Sequence, residues 1–152
     1  MRFEQTRDIL QHQVAPYHSR VSRLYENFAE KDIAPRNRLM LDYLIEHEAR
    51  LALAIHTFIA EAPAKDLDYW FKRIAIPFPV PDEAKLTDSC RTDLDLLVGA
   101  AIGYKKALID FYDHLVGQCD ATETADLFQT LKAQEEKGMK RFIRHSQGLE
   151  DL

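Results

Sequence analysis

Apolar residues recur at steps of three and four along four separate stretches of this chain, and a proline-broken segment divides those stretches two and two. That spacing is the period of a helix with one buried face. Leu10, Val14, Tyr17, Val21, Leu24 and Phe28 mark the first helix, predicted over about 4–30. Leu41, Leu44, Ile45, Ala52, Ile55 and Ile59 mark the second, over about 36–61. Leu94, Leu97, Val98, Ala101, Leu108, Tyr112 and Leu115 give the third, over about 91–117. Leu127, Phe128, Leu131 and Phe142 give the fourth, over about 121–147. No stretch alternates as a half-buried strand does. Only 5 of 152 residues are glycine, and runs of Ala, Leu, Glu, Lys and Arg favour helix throughout.

The breaks fix the connections. Pro16 lies inside the first stripe and cannot donate a backbone hydrogen bond, so that helix either kinks there or begins near that point. Lys31 to Pro35 is a short link, which makes the first two helices antiparallel neighbours. From about 62 to 90, Pro63, Pro77, Pro79 and Pro81 forbid a long helix. Residues 66–73 have the composition of a short helix that would lay Trp70 and Phe71 on the bundle as an anchor, and residues 76–81 must run extended. Asp120 to Glu123 reads as a capped start for the last helix. The expected fold is all-α: an antiparallel four-helix bundle over residues 1–152 as one domain, with a long crossover between the second and third helices and no sheet.

Composition excludes several classes of partner. With 20 basic and 25 acidic residues the net charge is −5, and no run of Lys or Arg could track a phosphate backbone, so nucleic acid is not an expected partner. Met1-Arg2-Phe3-Glu4-Gln5 enters charged sequence at once, and no segment has the apolar length of a membrane span. A cytoplasmic protein with no membrane partner is expected. Cys90 and Cys119 are isolated thiols with no redox or metal spacing. There is no phosphate-binding glycine loop, nucleophile elbow or zinc motif.

The two halves of the chain match at an offset of 87. Tyr17 falls on Tyr104 (104 − 17 = 87), Val21 on Leu108, Tyr25 on Tyr112 and Phe28 on Leu115. Past the turn, Leu41 falls on Phe128, Leu44 on Leu131 and Ile55 on Phe142. Amphipathic hairpins agree at apolar positions by period alone, but the paired tyrosines do not follow from period. Two like hairpins joined by a long crossover predict an approximate internal twofold, with equivalent positions facing each other across the core.

Four ionisable residues lie on the apolar stripes at equivalent places. Glu48 sits among Leu44, Ile45, Ala52 and Ile55, and Glu135 sits between Leu131 and Phe142 (135 − 48 = 87). Lys105 lies between Ala101 and Leu108, and its counterpart is His18 (105 − 18 = 87). Carboxylates and ammonium groups are costly in such positions unless they are paired.

On His18 through Tyr25-Glu26-Asn27-Phe28-Ala29, Glu48 within Ile45 to Leu51, Lys105 through Phe111-Tyr112, and Leu127-Phe128 through Glu135, the chain resembles the rubrerythrin branch of the ferritin-like superfamily. It also resembles uncharacterised bacterial proteins with this four-helix layout. In the metal-binding members of that superfamily two helices each offer one Glu and the other two each offer Glu-x-x-His. The resemblance therefore implies a di-iron position, and this chain departs from it. His18 and Lys105 stand where the single glutamates belong, and Leu51 and Gly138 stand where the histidines belong, so four of the six ligands have changed.

An ammonium at Lys105 repels metal ions, and with a protonated His18 it can neutralise Glu48 and Glu135. The expected site is a buried polar core of His18, Glu48, Lys105 and Glu135, with Tyr25 and Tyr112 nearby and the hydroxyls of Tyr17, Tyr25, Tyr104 and Tyr112 hydrogen-bonding to it. No catalytic residue, cofactor or metal is expected. The competing reading is a metal-dependent oxidoreductase or iron-binding protein, with iron or another transition metal on His18, Glu48 and Glu135. A third is a small-molecule module with its cavity among Tyr25, Tyr112 and the charged core. His12, His47, His114 and His145 are expected on solvated surface, and His56 packed at a stripe's border. The primary expectation is a non-catalytic structural or interaction protein. By resemblance it forms a homodimer, and it could also engage an unidentified protein partner.

Overall fold

The computed structural model describes residues 3–152, and those residues are predominantly helical. The first helix is continuous through Pro16. It opens as α1 (Thr6–Ile9), widens into a π-helical turn (Leu10–Val14) and continues as α2 (Ala15–Phe28). Pro16 lacks the N–H that the His12 carbonyl would otherwise accept, and its ring crowds that carbonyl. Within the widened turn the Ala15 N–H reaches back to the Leu10 carbonyl, so the chain passes the proline without breaking.

α3 (Pro35–Glu61) begins on a proline, whose fixed φ suits a first helical position. α5 (Leu94–Gln118) starts behind Asp93, whose carboxylate accepts from the Leu96 N–H at 3.1 Å. α6 (Thr122–Glu150) has no side-chain cap, so Asp120 does not play the role its position predicted, and the helix runs a turn past its expected end.

The crossover differs most from expectation. Its helix is a single turn, α4 (Ala64–Leu67), after which Trp70–Phe71 (β2) pairs antiparallel with Glu4–Gln5 (β1). The chain therefore has a two-stranded ribbon where no sheet was expected. The Thr6 N–H to Tyr69 carbonyl bond (3.0 Å) and the Arg7–Asp68 ion pair (3.0 Å) extend it. Alternation across the ribbon sends Phe71 inward against Phe128 and leaves Trp70 exposed, so Phe71 alone of the expected pair anchors the segment. Phe78, on the extended stretch, packs edge-on against Tyr17 and Phe111. Two short 3-10 turns, Glu83–Lys85 and Asp88–Arg91, complete the crossover.

α2 packs along α3 and α5 along α6, and α3 touches both α5 and α6. The apolar stripes of all four meet in one contiguous core that includes Leu10, Val21, Leu44, Leu108, Phe128 and Phe142. Each large side chain fully buried there contributes about 2 kcal/mol. Two buried polar residues pin helix starts to the crossover. The Asn37 amide donates to the Cys90 carbonyl (2.6 Å), and the Thr124 hydroxyl donates to Asp66 (3.4 Å). Among the described residues no helix is long and apolar enough to cross a membrane.

Candidate functional site: a closed ring of four buried charges

One ionisable side chain from each long helix projects into the centre of the core: His18 from α2, Glu48 from α3, Lys105 from α5 and Glu135 from α6. None is more than 4% exposed. They form a ring in which cations and carboxylates alternate. His18 Nδ1 donates to Glu48 Oε2 at 2.6 Å, and Lys105 Nζ donates to Glu135 Oε2 at 2.7 Å. Lys105 Nζ also lies 3.0 Å from Glu48 Oε1, and His18 Nε2 lies 3.2 Å from Glu135 Oε1. The last contact is an ion pair without hydrogen-bond alignment, and among the described residues His18 Nε2 has no other acceptor.

Charge within the ring balances. Burial alone would strip the proton from His18, but Glu135 and Glu48 outweigh it and hold the imidazole at about 9, so it is a cation at neutral pH. Burial likewise pushes Lys105 down, and the same two carboxylates return it above the usual lysine value. Burial raises Glu48 and Glu135, yet Lys105 and then His18 hold both below the ordinary carboxylate range. Two cations and two anions thus leave no net charge in the core. That neutrality is what permits four charged groups inside an apolar bundle.

The tyrosines around the ring behave in two ways. Tyr17 donates to the Tyr104 carbonyl at 2.5 Å, and Tyr104 donates to the Asp82 carbonyl at 2.7 Å, so both bond to backbone rather than to the charged core as expected. The hydroxyls of Tyr25 and Tyr112 are fully buried and have no hydrogen-bond partner among the described residues, contrary to the expectation that they bond to the charged core. Burial first, then Glu48 for Tyr25 and Glu135 for Tyr112, raises both phenols well above their usual range, so both remain neutral.

Histidines off the stripes also depart from expectation. His47 is half-buried with Nε2 enclosed, its ring edge-on to Phe142 at 4.8 Å. Burial, followed by Lys105, lowers it to about 4, so it is neutral beside the charged ring. A Cβ at Gly138 would lie 3.3 Å from His47 Nε2 and 3.4 Å from Lys105 Cε, so the bare glycine makes room for both side chains. His145 stacks on Tyr43 with ring centroids 4.0 Å apart, and His114 is half-buried, its Nε2 without a hydrogen-bond partner among the described residues. Of the expected surface set only His12 is exposed, and His56, expected to be packed, is exposed too. The one sequence signal for the His47 environment is Gly138 itself, a mid-helix glycine that costs about 1 kcal/mol relative to alanine.

These residues do not fit a metal ion. Lys105 Nζ lies within 3.0 Å of both carboxylates, where its positive charge would repel a cation, and both nitrogens of His18 lie close to carboxylate oxygens. No group of three or more His, Cys, Asp or Glu side chains among the described residues is disposed to hold one. Each of the four charged side chains is engaged by its neighbours in the ring. A 300 Å³ cleft between α3 and α6, walled by Leu51, Ile55, Phe58 and Leu131, reaches Glu135 but neither Tyr25 nor Tyr112. Compared with known proteins, the chain matches no family model, no curated protein and no solved structure.

Proposed function

We propose that the chain is a ferritin-like four-helix bundle of approximate twofold internal repeat, in which a salt-bridged ring stands where metal-binding relatives hold two ions. In this reading it works as a non-catalytic structural or interaction protein that self-associates. The observation that carries it is Lys105, whose ammonium contacts both Glu135 and Glu48, at 2.7 and 3.0 Å. The repeat is supported by matched spacing: His18 to Glu48 and Lys105 to Glu135 both span 30 residues. α3 and α6 also begin 87 residues apart (122 − 35 = 87), and the bond from Tyr17 to Tyr104 joins residues at that same offset.

A neutral ring drawing one residue from every helix gives the bundle a unique register. Sliding any helix by a turn would leave a buried charge unpaired, at a cost of about 3–5 kcal/mol. The ring is thus a device for specifying one packing of four helices. Elemental analysis of protein purified without chelators from medium enriched in iron, manganese and zinc tests the proposal. Metal far below one ion per chain is expected. A stoichiometric ion whose binding is lost in Glu48→Gln would replace it with the metal-dependent reading.

A further inference from the structure

The outer face of α6 carries acid toward its start and mostly base toward its end, with Lys132, paired to Asp113, and exposed Glu136 between them. Glu123 and Asp126 lie exposed in its first half, where they and Glu61 of α3 border a 320 Å³ groove floored by Phe58 and Leu127. Lys137, Lys140, Arg141 and Arg144 lie exposed in the second half, where Lys140 borders a 510 Å³ groove with Ile102, Met139 and Ile143. Lys65 of α4 pairs with Glu123, but among the described residues neither Asp126 nor Lys140 has an ion-pair partner. Between the halves stands Ala133, exposed and small, seven residues from each (133 − 126 = 7; 140 − 133 = 7).

We propose that α6 pairs antiparallel with α6 of a second copy of this chain, about a twofold axis passing at Ala133. The inference rests on the self-association in the reading above and names the surface that performs it. Seven residues are two turns, about 10.5 Å, so an antiparallel partner centred on Ala133 brings its Lys140 opposite Asp126, and the symmetric contact forms at the other end. Gln129 then faces Lys137, and Thr122 faces Arg144, with no like charges opposed along this seam. A parallel arrangement would set Asp126 on Asp126 and Lys140 on Lys140, and only the antiparallel one is complementary to itself. Alanine and threonine at 133 and 130 let the two helices approach to ordinary packing distance. The occupant is a second copy because a single helix carries both halves of the match.

Sedimentation velocity on the full chain, with native mass spectrometry of mixtures, reads the outcome. Wild type should be a dimer that weakens as salt rises. Asp126→Lys and Lys140→Glu each place like charges opposite one another twice, so each alone should raise the dimer dissociation constant about tenfold or more. Mixed in equal amounts, the two variants should form a dimer containing one of each, because every 126–140 contact is then opposite in charge. Both positions are exposed, and Ala133→Glu, which sets two carboxylates together on the axis, gives a third variant with the same expected loss. Variants that remain as dimeric as wild type would overturn the α6 surface while leaving self-association intact. A wild type that is monomeric at every concentration would overturn both.

Discussion

Lys105→Met removes one charge from the ring while keeping most of the side chain's volume. The ammonium is 1% exposed and contacts Glu48 and Glu135 at 3.0 and 2.7 Å, so its loss leaves two carboxylates facing one imidazolium, a net negative charge in the core. Breaking a buried ion pair on one side costs about 3–5 kcal/mol, a large part of a domain's stability. The bundle can limit that cost by protonating one carboxylate. Burial pushes Glu48 and Glu135 up, and Lys105 is the largest influence holding them down, so without it one of them takes a proton more readily. The folded-state depression of these carboxylates gives the wild type stability that is present above their unfolded pKa and lost as pH falls. The variant lacks it, so the deficit should narrow on acidification. Urea unfolding followed by far-UV circular dichroism at pH 7 and pH 5 measures both quantities. Adding Glu135→Gln, which leaves one imidazolium and one carboxylate, should recover part of the loss at pH 7. If Lys105→Met unfolds at the wild-type midpoint at pH 7, Lys105 does not neutralise the ring and the reasoning fails.

Other consequences follow from the histidines and from Gly138. His47, lowered from 6.5 to about 4 in the fold, binds its proton only on unfolding over that interval, so stability should fall as pH drops through it; His47→Leu should flatten that acid limb in a pH series of urea midpoints. A limb of unchanged slope would show that His47 does not titrate as its burial requires. Gly138→Leu should destabilise by about 1–3 kcal/mol by driving a side chain into His47 and Lys105, whereas an exposed mid-helix glycine such as Gly99, with open space around it, should gain about 1 kcal/mol as alanine. Thermal melts of the two variants that moved in the same direction would contradict this contrast.

Apolar periodicity carried most of the fold. The stripes of the four long helices, the early turn at Lys31 to Pro35 and the break from Pro63 to Pro81 can all be read from residue order, because each is a local pattern. The ring was legible for the same reason: a charge placed among Leu and Ile on one stripe must meet a partner, and four such charges at one offset meet each other. What escaped depends on contacts between distant segments. The ribbon joins Glu4–Gln5 to Trp70–Phe71, two-residue strands too short to show alternation. The π turn before Pro16 relieves a clash that sequence locates but cannot resolve, since kinking, starting late and widening all answer it. Tyr17, Tyr25, Tyr104 and Tyr112 were expected to bond to the ring because they are interior aromatics on its helices, but the cations and carboxylates turn to one another instead. His47 lies off its stripe and is enclosed only because α6 presents a bare glycine to it, a fact about the opposite helix.

The protonation of His18 tests the central claim most directly, because a neutral ring requires that imidazole to be a cation. Nitrogen NMR of histidine-labelled protein across pH 5 to 10 reports both ring nitrogens. His18 should carry protons on Nδ1 and Nε2 at pH 7 and release one with a midpoint near 9. Because its folded pKa lies above the unfolded value of 6.5, the stabilisation it gives is complete below 6.5 and fades as pH rises through 9, a loss of about 3 kcal/mol that urea midpoints should follow. A neutral single tautomer of His18 at pH 7 would leave a net negative charge beside Lys105 and would contradict the account.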